Sequence, residues 1–111
     1  MKIEPGKNIA IKVPQYKWSE TVEFYRNRVG LKVKAETPDY VSFEFGQMTL
    51  WIDRVPHRSQ SDVWLELFCD DPARALVQLN SPLRDELEPL DGVEGHWTSD
   101  PSGTILLIRR E

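Results

Sequence analysis

An internal repeat is the feature of this sequence that most constrains its fold. When the chain is slid against itself by about 56 residues, two alternating apolar segments fall into phase. In the first segment, Ile9, Ile11 and Val13 coincide with Leu65, Leu67 and Cys69. In the second segment, Leu50 and Ile52 coincide with Leu106 and Ile108. Alternation with a period of two is typical of strands that have one apolar face. The sequence therefore predicts two copies of one strand-containing unit.

The first copy, about residues 6–54, has the pattern of a strand, a helix and three further strands. Residues 8–13 alternate as a strand, and apolar residues then recur at helical spacing. Ser19 is a candidate cap for the start of this helix, and Gly30 is placed to end it. Segments 31–37, 40–45 and 48–53 read as strands joined by short turns.

The second copy, about residues 62–110, follows a polar linker at 55–61 and repeats this order. Residues 63–69 alternate as a strand, and Asp70 or Asp71 caps a helix with Pro72 in its first turn. Segment 84–90 is a weaker strand candidate because it contains acidic residues and Pro89. Segments 95–99 and 104–109 complete the set. We expect an α+β fold in which residues 1–111 form a single domain.

Charge and cysteine content restrict the partners. The 111 residues carry a formal net charge of -4, whereas nucleic-acid binding depends on clustered Lys and Arg. No apolar run approaches the roughly 20 residues that cross a bilayer. Cys69 is the only cysteine, so no internal disulfide can form, which is typical of reducing compartments. We therefore expect a cytoplasmic protein that binds neither nucleic acid nor membranes.

An ordered set of short motifs accompanies the repeat. The first copy contains Val13-Pro14, Phe24-Tyr25 and Val29-Gly30-Leu31, and the second contains Cys69-Asp70-Asp71 and Asp100-Pro101-Ser102-Gly103. In this order they resemble the vicinal oxygen chelate superfamily, which includes glyoxalase I, bleomycin-resistance proteins and extradiol dioxygenases. The resemblance implies two βαβββ modules that form a cupped mixed sheet, with helices outside and a cleft inside.

The resemblance also implies a divalent metal held by four side chains, from the first and last strands of each module. The matching positions here are Asn8, Trp51, Trp64 and Leu107. Such metals require imidazole or carboxylate donors, which indole and isobutyl groups cannot replace. We expect no metal and no other cofactor, so the metal chemistry of the superfamily does not transfer to this chain.

The expected cleft has both aromatic and charged residues. On alternation, and on the family positions, its ligand-binding residues are Asn8, Lys12, Ser42, Glu44, Trp51, Asp53, Trp64, Glu66, Phe68, Leu107 and Arg109. Alternation also places Thr49 on this side of the sheet. The tryptophans and the phenylalanine are suited to sandwiching a flat ligand. Glu66 is a weak candidate for a catalytic acid-base residue, and a structural salt bridge with Lys12 is its other interpretation.

The remaining reactive residues have simpler interpretations. His57 lies in the linker and His96 near a turn, so both are expected at the surface. Cys69 lies on the apolar face of a strand, where a packed thiol is more common than a nucleophile.

Three functions are consistent with these features. The first is a metal-free protein, built like bleomycin-resistance proteins, that sequesters or senses a small aromatic or amphipathic ligand. The second is an enzyme with metal-free carboxylate acid-base chemistry, in that case a lyase, isomerase or dioxygenase-like member of the superfamily. The third is a protein-interaction module. We also expect a homodimer, because related modules often pair across subunits.

Overall fold

Two compact units make up the computed structural model, which describes all 111 residues. The N-terminal unit is Lys7–Val63, and the C-terminal unit combines Met1–Gly6 with Trp64–Glu111. The elements in chain order are β1 (Ile3–Val13), α1 (Gln15–Glu23), a π-helical segment (Phe24–Arg28), β2 (Val33–Glu36), β3 (Tyr40–Phe45), β4 (Met48–Arg54), β5 (Asp62–Cys69), α2 (Pro72–Leu79), β6 (Gly95–Ser99) and β7 (Ile105–Arg109). Neither helix has the length and apolar character needed to span a membrane.

The strands form a mixed sheet, as the α+β prediction requires. In the N-terminal unit the order is β2-β3-β4-β1, and in the C-terminal unit β5, β7 and β6 follow one another. In each unit the first strand runs parallel to the last one, and the hairpin partner of that last strand runs antiparallel to it.

The register of the parallel pairs confirms the repeat. Asn8 lies opposite Thr49 in the β1–β4 pair, and Trp64 lies opposite Ile105 in the β5–β7 pair. Both members of the first pair map onto the second by the same shift that aligns the two halves of the sequence. The two units therefore share one strand register as well as one pattern of apolar residues.

The core of the N-terminal unit lies between α1 and one face of the sheet. Its buried residues are Val13, Val22, Val41, Phe43, Leu50 and Ile52, with Trp18, Tyr25 and others packed against them. The strand members are those that alternation places on one side, and Trp18 fixes the helix by donating from Nε1 to the Ile52 carbonyl at 3.4 Å. The helix covers this face, so the opposite face of the sheet holds the polar residues.

The prediction that Ser19 caps α1 is wrong. The helix begins at Gln15, directly after Pro14, whose side chain makes no capping bond. Proline fixes its own φ in a range compatible with a helix start, so the helix begins without a serine and Ser19 lies within it. The other end was correctly predicted: the π-helical segment is followed by Gly30 at φ 82°, a left-handed conformation that favours glycine.

The helix of the C-terminal unit has conventional caps. Asp71, rather than Asp70, is the N-cap, and its carboxylate accepts from the Arg74 N–H at 3.2 Å. Pro72 follows at the first helical position, as predicted. The core beneath the helix contains Cys69, Ala75 and Ile108, with Ile3, Leu67 and Leu106 packed against it.

Segment 84–90 does not form the predicted strand, so the second module is βαββ. Its backbone instead turns, with the Leu87 N–H bonded to the Arg84 carbonyl. The edge of β6 is satisfied differently: the Trp97 carbonyl accepts from the Arg84 N–H at 2.7 Å, and the Trp97 N–H donates to Asp85 Oδ1 at 3.1 Å. A carboxylate thus takes the place of a strand carbonyl, and both backbone groups of Trp97 are satisfied without a further strand.

The core assignment predicts a clear difference between two phenylalanines of β3. Phe43 is fully buried, whereas Phe45 is 45% exposed on the same strand. Phe43→Ala should lower the free energy of unfolding by about 3–5 kcal/mol, because a large cavity is left in the core. Phe45→Ala should cost less than about 1 kcal/mol. Urea unfolding of both variants measures the difference, and equal losses would contradict the assignment.

Candidate functional site

Six of the predicted ligand-binding residues share the face of the N-terminal sheet that α1 does not cover, which we call the polar face. They are Asn8, Lys12, Ser42, Glu44, Trp51 and Asp53. The register brings them together: Lys12 lies opposite Asp53, and Ser42 lies opposite Trp51. Alternation along three strands thus places polar and aromatic groups side by side.

Trp51 is held in one orientation by two neighbours. Its Nε1 donates to Asn8 Oδ1 at 2.7 Å. The ring of Tyr40 lies beside it, with ring centroids 5.2 Å apart and planes tilted by 59°. The indole N–H is thus satisfied within the protein, and the ring surface is what remains to contact another molecule. Such tilted aromatic pairs are favourable and well ordered.

A mostly buried ion pair borders the aromatic pair. Lys12 Nζ lies 2.7 Å from Asp53 Oδ2, with side-chain exposures of 12% and 22%. Separating the two side chains would leave each charge poorly solvated. We therefore expect the ion pair to stay formed when a ligand binds nearby. The pair adds polarity to the polar face without adding net charge.

The polar face also contains two residues that the predicted set of binding residues lacked. Tyr40 lies two residues before Ser42 on β3 and therefore on the same face, so alternation alone could have identified it. Lys34 donates to Thr49 Oγ1 at 2.6 Å. It lies at a register irregularity between Val33 and Ala35, and Val33, the residue before it, packs on the opposite, core side of the sheet.

The other five predicted residues lie on β5 and β7 in the C-terminal unit. Glu66 is opposite Leu107, and Phe68 is opposite Arg109, so Trp64, Glu66, Phe68, Leu107 and Arg109 occupy one face. Most of this face is buried: Trp64 is only 3% exposed. Its ring packs edge-to-face against Trp97 at a centroid distance of 4.6 Å. Trp64 therefore has a packing role that the sequence interpretation, which treated it as a pocket wall, did not include.

Glu66 is enclosed in the same unit. Its carboxylate lies 3.7 Å from Arg109 Nη1, and its side chain is 5% exposed. Gly6 packs so closely on it that a Cβ at this glycine would lie 2.5 Å from Glu66 Cγ. The environment is that of a structural ion pair, and an acid-base role would require a substrate to reach a covered carboxylate.

The histidines and the cysteine do not form a reactive cluster. His57 is exposed, as predicted. His96 lies at the start of β6, within the predicted strand 95–99, and its Nδ1 is 3.0 Å from Asp85 Oδ2. Burial acts to raise the pKa of Asp85, but hydrogen bonds from His96 and the Trp97 N–H outweigh it and lower that pKa. Burial raises the pKa of Cys69, which agrees with a packed thiol.

The residues at the metal positions of the superfamily do not fit a metal ion. In the N-terminal unit, the Asn8 oxygen already accepts from Trp51. In the C-terminal unit, Trp64 and Leu107 have no donor atom for a metal. The structure also has no cluster of three or more His, Cys, Asp or Glu residues that could hold an ion. Chemistry that depends on the superfamily metal cannot be assigned to these side chains.

Comparison with known proteins identifies the fold. No family model matches the sequence, and no curated protein matches it. Among solved structures, a glyoxalase/bleomycin resistance protein/dioxygenase superfamily member from Vibrio splendidus 12B01 is 15% identical with a TM-score of 0.65, covering 93% of this chain and 97% of that one. A hypothetical protein from Bacillus halodurans C-125 is 10% identical with a TM-score of 0.67, covering 100% of this chain and 96% of that one.

A larger protein contains the same fold. Homoprotocatechuate 2,3-dioxygenase from Brevibacterium fuscum is 17% identical with a TM-score of 0.62, and the match covers 99% of this chain. This chain spans only 37% of the dioxygenase. At such identities the likeness establishes the fold, and the fold is the one that the sequence motifs indicated: that of the glyoxalase, bleomycin-resistance and dioxygenase superfamily.

Proposed function

We propose that this protein binds a small aromatic or amphipathic molecule on the polar face, without a metal ion. The observation that carries the proposal is the fixed pair of Trp51 and Tyr40, with the indole N–H bonded to Asn8. A pre-oriented aromatic surface next to polar groups is the composition of many small-molecule sites. Sequestration or sensing needs no further catalytic group.

The charges of the polar face favour a neutral ligand. Lys12 is paired with Asp53, and Glu44 lies 3.9 Å from Lys32. Lys34 donates to a threonine hydroxyl. Each charge thus has a polar neighbour inside the protein, so a charged ligand would compete with existing contacts. A flat neutral ring can instead stack on Trp51, which contributes roughly 0.5–1.5 kcal/mol beyond burial.

A structural neighbour supports the class of ligand. The Brevibacterium fuscum dioxygenase is described in complex with 3,4-dihydroxyphenylacetate, so a protein containing this fold accommodates an aromatic ring. The dioxygenase is much longer than this chain, and the support extends only to the chemical class of the ligand.

An acid-base enzyme using Glu44, Asp53 or Glu66 is the alternative from another class. Asp53 and Glu66 are mostly buried and each is paired with a cation, which supports structural roles for both. Turnover that disappears in Glu66→Gln while ligand binding persists would favour the enzyme.

Calorimetric titration with 2-naphthol, a neutral flat compound, tests the binding proposal. Trp51→Leu should weaken its binding by about two- to tenfold, because one stacking contact is lost. Tyr16→Leu is the matched control, since this exposed aromatic residue lies on α1, away from the polar face. Unchanged affinity in Trp51→Leu would show that the indole is ordinary packing and refute the proposal.

We also propose that the chain forms a homodimer, and edge strand β2 supports this. The edge of β6 is covered by the turn at residues 84–85, whereas the side chains of β2 are largely exposed. An uncovered edge offers backbone groups to a second strand.

Light scattering at micromolar concentration should give about twice the chain mass of 12.9 kDa. A monomer throughout a dilution series would contradict the dimer, and a protein-interaction function would then need a different chain as partner.

A further inference from the structure

A cavity in the C-terminal unit lies apart from all predicted site residues. Its volume is about 370 Å³, within the range of small-molecule sites. It lies between the end of α2 and the turn that joins β6 to β7, and it is lined mainly by Leu79, Ser81, Pro82, Ser99, Asp100 and Leu106. Leu106 packs with the core beneath α2, so the cavity reaches that core.

Asp100 is the only ionisable residue in the lining. Its Oδ1 accepts three hydrogen bonds, from the Ser102 N–H at 2.9 Å, the Ser102 hydroxyl at 2.7 Å and the Thr104 N–H at 2.9 Å. These bonds lower the pKa of Asp100, the Ser102 hydroxyl having the largest effect. The carboxylate is therefore ionised at neutral pH and is held in place by its bonds to Ser102 and Thr104.

The rest of the lining is mostly apolar and contains no cation. Helix α2 ends at the cavity, where Asn80 adopts a left-handed conformation with φ 51°. The carboxyl end of a helix carries a partial negative charge, which adds to the field of Asp100. Leu79, the last helical residue, is 39% exposed at the rim. The cavity thus combines a negative end with apolar walls.

We propose that this cavity binds an amphipathic cation, whose ammonium group lies at the Asp100 carboxylate and whose apolar chain contacts Leu79, Pro82 and Leu106. A cation is attracted by the charge of Asp100, which no cation of the lining neutralises. An anion of the same size would be repelled by Asp100 and by the end of α2. This site is independent of the polar face and of the ligand proposed for it.

Three probes that share an eight-carbon chain separate charge from apolar contact. They are n-octylammonium, 1-octanol and octanoate, each titrated into the ¹⁵N-labelled chain while amide shifts are followed. Octylammonium should bind most tightly and octanoate most weakly, and the shifts should centre on residues 79–82 and 99–106. The indole N–H signal of Trp51 reports the polar face in the same spectra, so binding there is recognised separately.

Two variants with matched controls test the two parts of the cavity. Asp100→Asn retains an oxygen that can accept the hydrogen bonds of the turn but removes the charge, and it should weaken octylammonium about three- to fivefold while leaving octanol unchanged. Asp91→Asn is exposed, lies outside the lining and removes the same charge, so it should have no effect. Leu79→Trp should block the rim and weaken both ligands, whereas Val77→Trp, at an 81% exposed position of the same helix, should weaken neither.

The proposal is overturned if octanoate binds as well as octylammonium, if the shifts lie outside the cavity, or if Asp100→Asn and Asp91→Asn act alike. If Leu79→Trp does not fold, the comparison of the two aspartate variants decides the outcome.

Discussion

The parallel pairing of the first and last strands of each unit is the constraint on which the rest of this structure depends. Parallel neighbours cannot be joined by a tight turn, so a helix and further strands must intervene. In the N-terminal unit this crossover places α1 over one face and leaves the other for polar and aromatic residues. The same pairing makes β1 and β4 neighbours. It therefore brings Asn8 Oδ1 to 2.7 Å from Trp51 Nε1, although the two residues are 43 positions apart in the sequence.

Much of this arrangement could be predicted because it is periodic. Alternation correctly assigned the faces of β1, β3 and β4, and the shift between the two halves matched the observed strand register. The errors occurred where local chemistry replaced a periodic element. Pro14 started α1 without the expected serine cap, and the Asp85 carboxylate took the hydrogen bond that a strand at 84–90 would have supplied. A single residue that takes over the role of a cap or of a strand produces no periodic pattern, so a search for periodicity does not find it.

The candidate site shows a similar division. Alternation correctly placed Asn8, Lys12, Trp51 and Asp53 on one face. It did not predict that the Trp51 indole bonds to Asn8 and packs against Tyr40. Trp64 was the larger difference, because it is buried and packs edge-to-face against Trp97. The two tryptophans that were predicted to line one cleft therefore have different environments: Trp51 is partly exposed beside polar groups, and Trp64 is buried.

The central claim is that Trp51, Tyr40 and Asn8 form a hydrogen-bonded aromatic cluster that holds no metal ion, at the place where the resemblance implied metal ligands in the N-terminal unit. Elemental analysis of protein purified without chelator, together with anomalous scattering from crystals, tests it most directly. The account predicts far less than one transition-metal ion per chain and no anomalous peak near Asn8 or Trp51. One ion per chain, coordinated by residues of β1 and β4, would contradict it.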